Sequence, residues 1–183
     1  MTIQHKTVDE ADEFDDLATI KVDYRIRSAL CEAPVAHLDL HSKLITAEPQ
    51  DNLRQALEKI KQVHAGAVVV VEPGSQRLCG ILTERDLMNK FIGRGLNPSN
   101  EYVRDYMTSN PEYLTKNDKI AYALHKMSVL GFRHVPITDI DKNVIGLISM
   151  RQIIDYIAEA LSDEVYKLRP DPLRQGFTQV EGE

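Results

Sequence analysis

The sequence has little of several features that would assign a protein to a special class. Two cysteines, Cys31 and Cys79, are too few for a disulfide framework, so we expect a reduced protein. No apolar run reaches the roughly 18 residues that a membrane-spanning helix needs. Residues 1–16 are acidic, whereas a secretory signal is basic and then apolar. These absences predict a cytoplasmic protein without membrane contact.

The net charge of −6, from 22 basic and 28 acidic side chains among 183 residues, is unevenly distributed. Residues 1–16 contain six acids and one base, and residues 170–183 contain three acids and one base, so the body between them carries +1. A nearly neutral body argues against nucleic-acid binding, which uses a clustered basic face. The acidic start is typical of a solvated chain end, and a docking peptide for a basic partner is the alternative.

An internal repeat organises this body. Residues 51–91 align with residues 118–157 at an offset of 67, which becomes 66 after the turn at 73–76. The matched pairs include Ala56 and Ala123, Leu57 and Leu124, Gly80 and Gly146, and Arg85 and Arg151. A match that continues over about 40 residues indicates two copies of one folding unit.

Each copy predicts the same order of elements. Apolar residues at helical spacing (53–63 and 120–130) precede two short apolar runs joined by a turn, which predict a helix and then a hairpin. A second helix begins near Glu84 or Met150, and Thr83 or Ser149 is its N-cap. Its predicted buried face holds Leu87, Met88 and Phe91 in the first copy, and Ile153, Ile154 and Ile157 in the second. With a leading strand, the unit is β-α-β-β-α.

The two units are expected to form one module. A single unit of about 55 residues has a marginal core, so we predict two units packed sheet to sheet about a pseudo-two-fold axis, in the α+β (α/β) class. The predicted boundaries are an N-terminal extension at 1–34, the first repeat at 35–95, the second repeat at 101–162, and a polar C-terminal tail at 163–183.

Thr83, Arg85 and Asp86 form a compact group at the start of a predicted helix. A carboxylate accepts both hydrogens of a ribose diol, while a hydroxyl, a guanidinium and a helix N-terminus favour phosphate. The group therefore suits a nucleotide. The alternative is that Thr83 and Asp86 merely cap the helix and that Arg85 is solvated.

Two motifs carry a family resemblance. Residues 131–139 read GFRHVPITD in the second copy, and residues 80–86 read GILTERD in the first. With the repeat, residues 35–162 resemble a tandem pair of cystathionine-β-synthase (CBS) domains, called a Bateman module. The resemblance implies a homodimeric regulatory module for signal transduction. It would bind an adenosine-containing ligand (AMP, ADP, ATP, NAD or S-adenosylmethionine) and act on a separate effector protein.

The resemblance also implies that the ligand lies between the repeats. The first site would draw on both copies, through Ile81, Thr83, Arg85, Asp86, Met107, Thr108, Tyr113, Phe132, Arg133 and His134. The second, weaker site would comprise Ile45, Gly66, Ala67, Ser149, Arg151 and Gln152. Because Gln152 stands where the family has its ribose aspartate, we expect one competent site per chain.

Two other classes of protein are weighed against this sensor. An enzyme is disfavoured because the sequence has no glycine-rich phosphate loop and no Gly-x-Ser-x-Gly motif. His37 and His41 are four residues apart, but no third ligand is evident nearby, so we expect no metal site and no obligatory cofactor. A ligand-free dimeric scaffold for a separate effector remains the main alternative.

Overall fold

The structure is a computed structural model, and it describes residues 24–25 and 27–161. The acidic segment 1–16 and the tail 163–183 lie outside these described residues. The first repeat consists of β1 (Thr46–Ala47), α1 (Leu53–Val63), β2 (Ala67–Val71), β3 (Leu78–Thr83) and α2 (Glu84–Lys90). After β4 (Thr108–Ser109), the second repeat consists of β5 (Leu114–Thr115), α3 (Ile120–Leu130), β6 (His134–Thr138), β7 (Val144–Ser149) and α4 (Met150–Ala160). The predicted order β-α-β-β-α is confirmed in both repeats.

Local sequence sets the ends of these helices. The Thr83 hydroxyl accepts from the backbone of Asp86, whose carboxylate accepts in return from the Thr83 backbone, and Ser149 and Gln152 form the same capping box at α4. Helix α3 ends at Gly131 with a φ of 75°, and α1 ends at His64 with a φ of 50°. Glycine adopts this left-handed conformation at little cost, so Gly131 is a natural helix end.

The strands form two small sheets with matching registers. The order is β1-β2-β3-β4 in one sheet and β5-β6-β7 in the other, and the leading strand of each repeat runs parallel to its neighbour. Both hairpins pair antiparallel, with Ala67 opposite Thr83 in the first repeat and His134 opposite Ser149 in the second. The repeat seen in the sequence is therefore also a repeat of strand pairing.

Strand β2 explains how the sheets meet. All five of its residues are buried. Val68 and Val70 pack with helix residues of the first repeat, while Val69 packs with Val144 and Leu147 of the second. Burial on both faces accounts for its uninterrupted β-branched run. The predicted sheet-to-sheet packing is confirmed.

The leading segment of each repeat packs on the other repeat. Val35 is fully buried in the core of the second repeat, and its backbone N–H donates to the carbonyl of Asp118 at 2.7 Å. Val103 is fully buried in the core of the first repeat, and it donates to the carbonyl of Asp51 at 3.0 Å. Two units that exchange their leading segments are joined by buried apolar surface as well as by the chain.

The helix after each hairpin buries a narrower face than the sequence predicts. Leu87 and Ile153 are buried, as expected. Met88 and Ile154, also predicted to be buried, are 67% and 54% exposed in this chain, so that prediction is wrong. The residue after Leu87 or Ile153 is turned about 100° around the helix axis, which places it outside the narrow face that the sheet covers. Among the described helices, none is long and apolar enough to span a membrane.

Candidate functional site

A cavity of about 470 Å³ lies between the two repeats. The first repeat contributes the end of β3 and the first turn of α2, and the second contributes the end of α3 and the start of β6. Of the ten residues predicted for the first site, eight line this cavity: Ile81, Thr83, Arg85, Asp86, Thr108, Phe132, Arg133 and His134. The packing of the two repeats on each other thus brings the two motifs to one place.

The two remaining predicted residues lie elsewhere. Met107 packs against the core of the first repeat, where its sulfur closely approaches Gly80. Tyr113 is 37% exposed, and its ring lies 5.5 Å from the Nζ of Lys142 in the β6–β7 turn. Neither side chain lines the cavity.

Asp86 is held by four contacts inside the protein. Its Oδ2 accepts from the backbone N–H and the hydroxyl of Thr83, at 3.0 Å and 2.6 Å. Its Oδ1 lies 2.9 Å from the Nζ of Lys90 and accepts from the hydroxyl of Thr108 at 3.3 Å. Thr83 and Asp86 therefore cap α2, and a ligand that uses this carboxylate must share it or displace a neighbour.

These contacts keep Asp86 ionised. Burial, which leaves 15% of the side chain exposed, acts to raise its pKa. The hydrogen bonds from Thr83 and Lys90 outweigh burial, so the pKa of Asp86 lies below its ordinary value. An ionised carboxylate at the cavity wall suits the hydroxyl hydrogens of a ribose diol.

Arg133 and His134 line the side of the cavity that the second repeat contributes, and Arg133 supplies its positive charge. His134 begins β6 next to Arg133, and its imidazole packs against the backbone of Gly66, where a Cβ would lie 2.6 Å from Cε1. Burial, together with the charges of Arg133 and Lys43, lowers the pKa of His134. The cavity therefore places an anionic group opposite a cationic one, as a nucleoside phosphate requires.

Seven further residues line the cavity that the sequence did not assign to this site: Gly66, Glu84, Asn110, Pro111, Glu112, Leu130 and Gly131. Gly131 belongs to the motif at 131–139 and Glu84 to the motif at 80–86, so position within those motifs is a usable signal. Residues 110–112 come from the loop after β4, whose path depends on tertiary packing. Gly66 was assigned to the second site, and it borders both sites.

A second cavity of about 400 Å³ adjoins the first. Gly66, Ser149, Arg151 and Gln152 of the predicted second site line it. The other two predicted residues do not, because Ala67 is fully buried between the sheets and Ile45 packs on the first core.

The amide of Gln152 is engaged at both ends. Its Oε1 accepts from the Ser149 backbone at 2.8 Å, and its Nε2 donates to the carbonyl of Asp39 at 2.7 Å. Gln152 therefore ties the leading segment of the first repeat to α4. Among the described residues, no group of three or more histidine, cysteine or acidic side chains is placed to hold a metal ion.

Comparison with known proteins identifies the family. The family model of the CBS domain matches residues 35–93 and 103–159. This chain therefore belongs to the CBS domain family and carries two CBS domains in tandem. The resemblance that the motifs at 80–86 and 131–139 carry is confirmed.

The relatives agree with this assignment. CBSX3, a mitochondrial CBS domain-containing protein of Arabidopsis thaliana, is 32% identical over 64% of this chain and 58% of its own length. A 17.7 kDa protein of Acidianus ambivalens is 30% identical over 67% of this chain and 70% of its length. This chain thus spans somewhat over half of the Arabidopsis relative.

Solved structures share the fold. A CBS-domain protein of Agrobacterium tumefaciens is 28% identical, with a TM-score of 0.56 over 61% of this chain and 87% of the other. CBSX2, solved in complex with AMP, is 20% identical, with a TM-score of 0.58 over 72% of this chain and 98% of the other. At that identity, the second comparison bears on the fold alone.

Proposed function

We propose that this protein is a regulatory module that binds an adenosine-containing ligand in the 470 Å³ cavity between its CBS domains. The observation that carries the proposal is the pairing of an ionised carboxylate, Asp86, with two cations, Arg85 and Arg133, around that one cavity. A ribose diol and a phosphate need these two kinds of partner together. The proposal includes no catalytic step, because binding alone shifts populations between conformations.

The neighbours support an adenosine ligand in general terms. CBSX2 was solved with AMP, and the CBS domain of a bacterial CNNM/CorC-family Mg²⁺ transporter was solved with ATP. The CBS pair of MJ0100 was solved with S-adenosylmethionine and 5′-methylthioadenosine. The cationic side chains Arg85 and Arg133 favour a nucleotide over S-adenosylmethionine here, because the latter has no phosphate.

We propose that the two cavities are unequal. In the first, Asp86 offers a carboxylate, and Thr83 and Thr108 offer hydroxyls. In the second, the neutral amide of Gln152 stands at the equivalent position, and like Asp86 it is already bonded within the protein. A neutral amide accepts a hydroxyl hydrogen less strongly than a carboxylate does. One ligand per chain is therefore expected, in the Asp86 cavity.

A homodimer is part of the proposal. Met88 and Ile154 occupy equivalent positions of the two repeats, and both are mostly exposed. Two equivalent apolar positions suit burial against a second copy. Met88→Glu and Ile154→Glu should each lower the mass measured by light scattering towards that of one chain. A wild-type protein with the mass of one chain would contradict the dimer. It would leave the proposal of ligand binding unaffected.

One observation favours a second candidate, a scaffold without ligand. Asp86 has contacts for both carboxylate oxygens within the protein, which is sufficient reason for its presence as a cap. In that case the module would present its surface to a separate effector protein and respond to no nucleotide.

Thermal unfolding with AMP, ADP, ATP, NAD and S-adenosylmethionine distinguishes the two candidates. A ligand at about 100 times its dissociation constant adds roughly 2.7 kcal/mol of stability, which in a chain of this size raises the Tm by about 5–10 °C. A shift with at least one of these compounds is expected. No shift with any of them contradicts the sensor and leaves the scaffold.

The matched variants Asp86→Ala and Gln152→Ala locate the binding. Each Tm shift is measured against the same variant without ligand, so that a loss of helix capping is subtracted. Asp86→Ala should abolish most of the shift, whereas Gln152→Ala should retain it. An equal loss in both variants would contradict the inequality of the two cavities.

A further inference from the structure

His134 stands on the wall that the two cavities share. Gly66, Glu84, Arg133 and His134 line both the 470 Å³ cavity and the adjoining 400 Å³ cavity. The imidazole is half-buried and packs on Gly66, where a Cβ would lie 2.6 Å from Cε1 and 2.7 Å from Nε2. A side chain in this position meets any ligand that extends from one cavity towards the other.

The charges around His134 are mainly cationic. Lys43, Arg85, Arg133 and Arg151 come from four different segments and line one or both cavities. The acids that face the same space are Glu84, Asp86 and Glu112. Asp86 is paired with Lys90, Glu112 with Lys126, and Arg151 with Asp155. Three cations and one acid therefore remain among the described residues that line the two cavities. The space beside His134 therefore favours an anion.

The imidazole of His134 can accept a proton. No hydrogen bond to its imidazole occurs among the described residues. Burial, Arg133 and Lys43 keep its pKa below the ordinary value, which favours the neutral imidazole. A phosphate beside it would reverse this balance, since an anion at hydrogen-bond distance stabilises the imidazolium.

We propose that His134 takes up a proton when an anionic ligand enters the cavity. The site then selects ligands that carry a phosphate dianion over uncharged adenosine, and it holds them more tightly as the pH falls. This inference rests on the proposed function, because it assigns a specificity-determining role to one residue of that site. It makes the proton a second input to the module.

Isothermal titration calorimetry on the full chain tests the inference. AMP is titrated between about pH 6.5 and 8, in buffers of different ionisation enthalpy, and the buffer dependence of the heat gives the number of protons taken up. The wild-type chain should take up as much as one proton, and its affinity for AMP should fall by up to about tenfold per pH unit. Adenosine should bind without proton uptake.

Two variants separate His134 from other titrating groups. His134→Gln keeps a neutral hydrogen-bonding side chain and should lose the uptake due to the imidazole. His125→Gln, at an exposed position on α3, should behave like the wild type. The phosphate of AMP also titrates, near pH 6, but it contributes equally in all three proteins. An NMR titration of His134, with and without AMP, should show its pKa rise on binding.

The outcomes are distinct. If AMP binds to the wild type and to His134→Gln with the same proton uptake, or if the pKa of His134 does not rise, this inference is wrong and the proposed function stands. If neither AMP nor adenosine binds the wild-type chain at any pH, the proposed function fails for these ligands, and this inference fails with it.

Discussion

Arg85 of the first repeat donates from Nη1 to the backbone carbonyl of Gly131 in the second repeat, at 2.7 Å. Gly131 ends helix α3, whose C-terminal carbonyls carry partial negative charge. A guanidinium has five N–H donors, so this bond leaves others for a ligand anion. Arg85 thus both joins the two repeats and faces the cavity between them.

Arg85→Ala should weaken binding more than it weakens the fold. Arg85 is exposed, so losing its bond to Gly131 should cost less than about 1 kcal/mol of unfolding free energy. Loss of a charge-assisted bond to phosphate should lower the affinity for AMP by about 10- to 100-fold. Calorimetry and urea unfolding measure the two effects.

Arg77→Ala is the matched control. Arg77 pairs with Glu72 on the hairpin of the first repeat, with its guanidinium nitrogen 4.0 Å from the carboxylate, and it does not line the cavity. Its affinity for AMP should equal that of the wild type. If both arginine variants bind AMP equally well, Arg85 is a structural residue only.

Asp86 should make stability depend on pH on the acid side. Its folded-state pKa is lowered, so its contribution is fully present above the unfolded pKa of about 3.8 and is lost as the pH falls through the folded value. Asp86→Asn cannot titrate. Asp86→Asn should therefore have a lower free energy of unfolding than the wild type at pH 6. This difference should become smaller towards about pH 3, as measured by urea unfolding. A deficit that does not change with pH would show that the charge of Asp86 contributes nothing.

Gly80 and Gly146 are equivalent residues of the two repeats, and alanine should be tolerated differently at each. At Gly146 a Cβ would lie 2.6 Å from the Cβ of Leu40 and 3.0 Å from its backbone oxygen, which accepts from Leu147. At Gly80 the Cβ would lie 2.5 Å from the sulfur of Met107, whose flexible side chain can move aside. Gly146→Ala should cost about 1–3 kcal/mol and Gly80→Ala less, by chemical denaturation. The opposite ranking would contradict the packing of Leu40 on β7.

Gly66 and His134 should be energetically coupled. In Gly66→Ala the new methyl group would overlap the imidazole, so His134 must move, at a cost of about 1–3 kcal/mol. His134→Ala removes the obstacle. The double variant should therefore lose less unfolding free energy than the two single variants together, by at least about 0.5 kcal/mol. A double-mutant cycle of urea unfolding measures this difference. Strict additivity would show that the two residues do not touch.

Elements that depend on local sequence were predictable. The helical spacing at 53–63 and 120–130 gave α1 and α3, and the hydroxyls Thr83 and Ser149 gave the starts of α2 and α4. Periodicity and capping act within one or two turns, so a short stretch of chain contains the information.

Contacts between distant segments were not predictable in the same way. Nothing near Val35 or Val103 says that each packs on the core of the other repeat. The exposure of Met88 and Ile154 likewise depends on how much of each helix the sheet covers. The apolar residues of a helix do not by themselves show which of them lie within the covered face.

The same distinction between local sequence and distant contacts applies to the candidate site. The sequence by itself determined the repeat, the β-α-β-β-α unit, the family, and the two motifs that supply Thr83, Arg85, Asp86 and Arg133, because each is written in a contiguous stretch. Only the tertiary structure decided that Asp86 is bonded to Lys90 and Thr108, and that Arg85 reaches Gly131. It also decided that His134 lies on Gly66 between two cavities. These relationships join residues far apart in the chain or depend on side-chain packing, so they exist only once the two repeats have closed on each other.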